Sequence, residues 1–237
     1  MARGLEICIA VLLLFAGLVT LLYPSLNGAR LEKASIEAAE SFIDAFIVPA
    51  ETVPEETPRP YAELYEAMTA YNEKIYTEKQ RGLSDTQAYE EAGVSLSAYG
   101  FEDGVVSVLS IPAIELEMPV YLGASYDNMA EGAAVLGQTS LPIGGENTNC
   151  VIAGHRGWNG AAYFLNIDKL QAGDNVQLIN LWETMEYTVT EIRVIEPTDI
   201  AQILIQDGRE LLTLMSCHPY ASGGRYRYLV FCERTLL

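Results

Sequence analysis

Three side chains of this sequence have the types and settings for covalent chemistry: Cys217, His155 and Arg227. Cys217 ends the run Leu211-Leu212-Thr213-Leu214-Met215-Ser216, and His155 follows the β-like run Val151-Ile152-Ala153-Gly154. Arg227 opens the last such run, ahead of Tyr228-Leu229-Val230-Phe231. A strand end holds a side chain at a rim while the sheet fixes its position. A free thiol with pKa near 8.5 is only about 3% thiolate at pH 7, so it needs help to attack a carbonyl. An imidazole supplies a base or a cationic partner for the thiolate. A guanidinium cannot usefully give up a proton, but it stabilises an oxyanion or orients a peptide carbonyl.

Each of the three has rivals. His218 adjoins Cys217, yet in an extended chain successive side chains alternate, so it points away. Arg225 lies two residues before Arg227 and shares its face if the strand starts early, although it fits the end of the Ala221–Gly224 turn better. Cys217, His218 and His155 could also hold a metal, but no CxxC or HxxxH spacing supports one. Cys8 falls in an apolar stretch, and Cys150 and Cys232 read as strand residues, with a redox role for either left open.

The elements that must position these groups are short. From about Gly104 apolar runs recur at Val105–Ser110, Ile114–Tyr121, Cys150–Ala153, Val176–Leu181, Glu186–Ile195, Leu211–Ser216 and Tyr226–Cys232, punctuated by Gly, Pro, Asn and Asp. The pattern predicts a compact β-domain of barrel or sandwich type. Ahead of it, Tyr61, Leu64, Tyr65, Met68, Tyr71, Ile75 and Tyr76 recur at helical spacing over Tyr61–Gln80, which predicts a helix packed on the domain. Ala29–Ile47 reads as another helix, and Pro49–Pro60 as an extended linker.

The N-terminus sets the setting. Ile7–Tyr23 is almost wholly apolar, and its seventeen residues span roughly 26 Å as a helix, close to the hydrocarbon thickness of a bilayer. A cleaved signal peptide has a shorter apolar core and a small-residue cleavage site; here Tyr23-Pro24-Ser25-Leu26 follows, so an uncleaved anchor is expected. Charges flanking it nearly tie and leave its orientation open. Over 237 residues, 14 Lys and Arg stand against 32 Asp and Glu, a net charge of −18, which argues against a nucleic-acid partner. Dinucleotide-binding and phosphate-loop motifs are absent, and no cofactor or metal is expected.

Taken together, these segments resemble the sortase family. Thr213-Leu214-Met215-Ser216-Cys217 looks like its TLxTC signature with Ser216 in place of the second Thr. Val151–Gly157 resembles its histidine segment, and Arg227-Tyr228-Leu229-Val230 its terminal arginine strand. Ile111-Pro112-Ala113-Ile114, Pro119-Val120-Tyr121, Thr139-Ser140-Leu141-Pro142 and Asp168-Lys169-Leu170 before Gly173-Asp174 resemble the class C, pilus-assembling branch. The resemblance runs from about Tyr71 to the C-terminus. It implies a mainly β protein, an eight-stranded barrel with N-terminal helices and one transmembrane anchor. The implied layout is a cytoplasmic N-terminus (1–6), the anchor (7–24), an extracellular helical and linker region with a possible divergent lid (25–104), and the catalytic barrel (105–237).

The implied activity is that of a thiol transpeptidase outside a Gram-positive membrane. By this resemblance Cys217 attacks an LPxTG-like sorting signal of a surface protein or pilin and forms a thioester. His155 is its acid/base partner, and Arg227 binds substrate backbone and oxyanion. The thioester is resolved by an amine, from a pilin lysine or a cell-wall precursor. Class C members usually carry a lid with an Asp-Pro-aromatic motif; Arg81–Gly104 here has Asp85-Thr86-Gln87 and no proline, so the lid is divergent or missing. Many also have a second membrane helix at the C-terminus, whereas this sequence ends at Arg234-Thr235-Leu236-Leu237. A wall-anchoring sortase of another class, a membrane-tethered cysteine protease and a non-catalytic β-module remain as alternatives. The segment Arg193–Glu210 is where family members grip the signal.

Overall fold

The computed structural model describes residues 2–46, 59–101 and 104–235; most of the expected linker over Pro49–Pro60 lies outside them. The first element is a single helix, α1 (Ala2–Phe46), which runs through Pro24. The apolar stretch and the Ala29–Ile47 helix expected from sequence are thus one element. Its two halves differ in what they touch. Side chains from Ile7 to Leu26 are exposed, while Gly28, Ser35, Ala39 and Phe42 are buried, a spacing of seven, four and three that marks one helical face. That face lies against the barrel, and Ile36, though apolar, stays outside it.

The next helix, α2 (Ala62–Thr77), buries Leu64, Met68, Asn72 and Ile75. The polar member of that stripe is fully used: Asn72 Oδ1 accepts from the backbone N–H of Leu141 (2.7 Å), and its Nδ2 donates to the same residue's carbonyl (3.3 Å). An amide side chain there imitates a strand partner, which is why Asn sits on an apolar face.

The strands are β1 (Val105–Ile111), β2 (Leu116–Leu122), β3 (Ala133–Val135), β4 (Thr148–Ala153), β5 (Arg156–Trp158), β6 (Ala161–Tyr163), β7 (Asn175–Asn180), β8 (Thr184–Ile195), β9 (Glu210–His218) and β10 (Tyr226–Arg234). Eight of them close a barrel in the order β1-β2-β3-β4-β9-β10-β8-β7, with β1 pairing back to β7. The β5 and β6 strands form a separate hairpin. Two pairs are parallel, β2 with β3 and β4 with β9; a short helix, α3 (Tyr126–Glu131), makes the crossover between β2 and β3.

Alternation along the strands divides the apolar side chains between two cores. Ile152, Leu212, Leu214 and Val230 fill the barrel. Val151, Leu229 and Phe231 face outward, where Leu83, Leu136 and Ile203 cover them. The outward face matters most, because the odd-numbered residues of β9 and β10 lie on it.

Candidate active site

Cys217 is the penultimate residue of β9 and Arg227 the second of β10, and the antiparallel register sets them directly opposite each other. Residues in such a pair project from the same face, and Arg227 Nη1 lies 4.0 Å from Cys217 Sγ. The guanidinium is held in place by its own neighbours: Nη1 donates to the carbonyls of Gly224 (2.8 Å) and Tyr226 (3.3 Å). Gly224 has φ +78°, and a Cβ there would stand 3.0 Å from Nη1 and 3.3 Å from Sγ. Only glycine lets the β9–β10 loop pass this close to both groups.

His155 arrives on the parallel neighbour. In the β4–β9 pairing Ala153 is opposite Met215, and the N–H of Gly154 donates to the Met215 carbonyl (3.0 Å). The Ser216 hydroxyl donates to the Gly154 carbonyl (2.8 Å) and is buried there. The serine that departs from the family signature therefore still ties the cysteine strand to the residue before the histidine. Three residues earlier and on the other face, Thr213 joins the same two strands, its hydroxyl donating to Asn149 Oδ1 (2.8 Å). A Cβ on Gly154 would lie 2.7 Å from the Phe164 ring, so the chain turns toward His155 over an aromatic floor.

Cys217, His155 and Arg227 line one cavity of about 250 Å³. Burial holds the His155 imidazole below its ordinary pKa, and its Nε2 is buried without a hydrogen-bond partner in the protein. Buried ring nitrogens are rarely left orphaned, so this atom has bonding capacity to offer. The ring is stacked on Trp158, with centroids 4.3 Å apart and planes 10° from parallel.

The rival residues lie elsewhere or are engaged. His218 Nδ1 is 2.8 Å from Arg156 Nη1; a guanidinium has only donors, so Nδ1 accepts here. Arg156 is also ion-paired to Asp168, and the His218 ring lies 5.4 Å from that of Tyr228. Arg225 is an exposed loop residue outside the cavity. Among the described residues no group of three or more His, Cys, Asp or Glu is placed to hold a metal.

Cys150 and Cys232 are both buried free thiols whose pKa values burial pushes far up. Each pairs with Leu212, from opposite sides of β9. Two strand spacings put them roughly 10 Å apart, too far for a disulfide.

The cavity is also lined from the segment Arg81–Gly104, which sequence marked as a possible divergent lid without assigning Tyr89 or Glu90 a place. Thr86, Tyr89 and Glu90, from the 3-10 turn Thr86–Glu90, line it beside Cys217. The turn is docked by its backbone: the Tyr89 carbonyl accepts from the N–H groups of Ala124 (2.8 Å) and Gly137 (3.0 Å). A Cβ on Gly123 or Gly137 would collide with the carbonyls of Glu90 or Ala88, at 2.3 and 2.0 Å. Burial raises the pKa of the Tyr89 phenol and the positive charge of Arg227 opposes the rise. A lone aromatic in a short turn leaves no periodic trace in sequence, so only the docking reveals it.

Known proteins resemble this chain in sequence and in fold. A sortase domain model matches residues 109–235. Sortase D of Bacillus subtilis is 25% identical over 164 residues, 68% of this chain and 80% of that protein. Sortase C of Clostridium perfringens, solved with the C-terminal cell wall sorting motif, superposes with TM-score 0.68 at 29% identity, covering 86% of this chain and all of that one (100%). Sortase C1 of the group B streptococcal (GBS) pilus island 1 gives TM-score 0.68 at 26% identity, over 86% of this chain and 93% of that one. This chain belongs to the sortase family of cysteine transpeptidases, and its likeness is to the class C branch.

Proposed function

We propose that Cys217 is the nucleophile of a membrane-anchored transpeptidase that cleaves an LPxTG-like sorting signal and passes it to an amine. The observation that carries this reading is one cavity lined by a thiol, an imidazole with a free ring nitrogen and a guanidinium. In the reaction, the Cys217 thiol passes its proton to His155 and Sγ adds to the carbonyl carbon of the Thr–Gly bond. The Arg227 guanidinium, opposite Cys217, stabilises the oxyanion. The tetrahedral adduct collapses to a thioester as His155 protonates the leaving glycine nitrogen. An incoming amine then attacks the thioester carbonyl and gives its proton to His155; the C–S bond breaks, and His155 returns the proton to Sγ, which restores the thiol.

The class C likeness favours a pilin lysine as that amine. A sorting motif accompanies one of the similar structures, which supports the substrate class. Residues 1–6 are assigned to the cytoplasm, 7–24 to the membrane, and 25–104 and the barrel from 105 to 237 to the outside. The apolar half of α1 is the one helix among the described residues long and apolar enough to span. The turn Thr86–Glu90 acts as a divergent lid, with Tyr89 beside the cationic end of the cleft.

The direct test is to incubate the protein with an LPxTG peptide and a lysine-containing acceptor peptide and to weigh the products. A branched peptide carrying the new amide is expected. Hydrolysed peptide alone, with acceptor in excess, would make the chain a protease instead.

A further inference from the structure

The hairpin that follows His155 does not stand free. Its turn, Asn159-Gly160, is seated on α1 immediately after the apolar half of that helix. Asn159 and Gly160 have φ of +47° and +94°, and the approach is backbone to backbone. A Cβ on Gly160 would stand 1.9 Å from the Pro24 carbonyl oxygen, and one on Gly28 would stand 2.3 Å from the carbonyl carbon and oxygen of Gly160. Neither position has room for any side chain.

Two hydrogen bonds flank the contact. Asn27 Nδ2 donates to the Asn159 carbonyl (3.2 Å), and the N–H of Ala162 donates to Glu32 Oε1 (2.8 Å). Pro24, Gly28 and Glu32 recur every fourth residue, so they form one face of α1. That face grips both the tip of the hairpin and β6.

From the tip, contact continues to the imidazole. Trp158 precedes the turn and pairs with Ala161 across it, and its ring is the one stacked on His155. The His155 carbonyl meanwhile accepts from the N–H groups of Gly157 and Phe164, both at 3.0 Å, so backbone and ring are fixed by the same hairpin.

We infer that the Pro24–Glu32 face of α1 is a positioning element for His155: by clamping the Asn159-Gly160 turn it holds Trp158 against the imidazole. The helix is then more than a tether: besides packing on β1 and β2 through Ala39 and Phe42, it fixes the histidine's orientation through the hairpin. The catalytic consequence rests on the reading of His155 as acid/base partner; the structural claim does not.

The test uses the full chain in detergent micelles with ring-labelled histidine. Only two histidines are present, so a His218→Gln variant assigns both. Leucine at position 28 cannot be accommodated against Gly160, and it favours helix more than glycine does. In Gly28→Leu the ring-current shift of His155 from Trp158 is expected to vanish and its titration to move up toward the ordinary imidazole range. The His218 signals are no control, since its partner Arg156 lies on the same hairpin; kcat for transfer should fall about tenfold or more with KM little changed. Gly17→Leu, where nothing lies within 4 Å, should change none of these.

If Gly28→Leu does not fold, the double variant Asn27→Ala/Glu32→Ala removes both hydrogen bonds without crowding and should move the His155 signals in the same direction. Unmoved His155 signals in the folded variants, or equal movement in Gly17→Leu, would overturn the inference. Moved signals with undiminished transfer would uphold the clamp and overturn the catalytic role of His155 instead.

Discussion

At the scale of single residues, the cleft combines an imidazole kept neutral by burial with a cation that cannot lose its charge. Because burial holds the folded pKa of His155 below the ordinary 6.5, the free enzyme keeps the neutral ring to lower pH than an exposed histidine would. In its proposed role as base, the ring is switched off by proton uptake only as pH falls through that lowered value. The acid limb of kcat/KM, which reports the free enzyme, is therefore expected below pH 6.5. A limb at or above that value, read from peptide cleavage at substrate well under KM, would contradict the role given to the ring. The sign for stability follows: between the two pKa values the unfolded chain binds the extra proton, so this group's contribution is full above about 6.5 and declines with acidification.

The three candidate residues each end or begin an apolar run, and the fold brings these strand ends to one cavity; that much of the proposed site was legible in sequence. Alternation also anticipated that His218 lies outside the cavity that His155 lines. What engages His218 was not foreseeable, since the Arg156 contact joins residues 62 positions apart.

At the scale of elements, buried hydroxyls reinforce the backbone ladder that joins the histidine and cysteine strands. Ser216 bonds to the Gly154 carbonyl across the parallel β4–β9 pair. Ser216→Ala would leave that buried acceptor short of a donor, at a cost of about 1–3 kcal/mol. Lower thermal stability and a fall in transfer are expected, and Ser216→Thr should restore both, as the hydroxyl is kept. An alanine variant as stable and active as the parent would show that the bond positions nothing.

The turn Thr86–Glu90 makes a different contribution. Its docking rests on backbone bonds and on the close approach at Gly123 and Gly137, so its side chains can change while it stays in place. Tyr89→Ala should therefore leave the unfolding midpoint nearly unchanged and speed alkylation of Cys217 by iodoacetamide several-fold. An unchanged alkylation rate would mean that the turn does not restrict the cleft.

Sequence pattern placed seven of the barrel strands but not β3, which at three residues is too short for a period to register. The β5–β6 hairpin escaped for the same reason. The start of β2 shifted from Ile114 to Leu116 because Pro112–Ile114 forms a 3-10 turn that ends at Glu115 with φ +52°.

At the scale of the whole molecule, the apolar half of α1 leads without a break into the part of the helix that packs on the barrel. With Ile7–Tyr23 in a bilayer, the Pro24–Gly160 contact places the barrel within about one helical turn of the membrane surface. No separate stalk intervenes. That single helix replaces the two elements that composition suggested, since an abrupt change from apolar to mixed residues reads as a boundary even where the backbone continues.

The proposed topology makes Cys217 accessible from outside. A membrane-impermeant maleimide applied to intact cells should label it, because Cys150 and Cys232 are buried and Cys8 falls within the apolar span. Labelling of the Cys217 thiol only after lysis would reverse the orientation.

The central claim is covalent, and intact-mass spectrometry of the protein mixed with an LPxTG peptide in the absence of an amine tests it most directly. The account predicts an adduct equal to the acyl fragment ending in threonine, released by hydroxylamine and missing in Cys217→Ala. Peptide cleaved at the same bond by Cys217→Ala, or an adduct on any other residue, would contradict it.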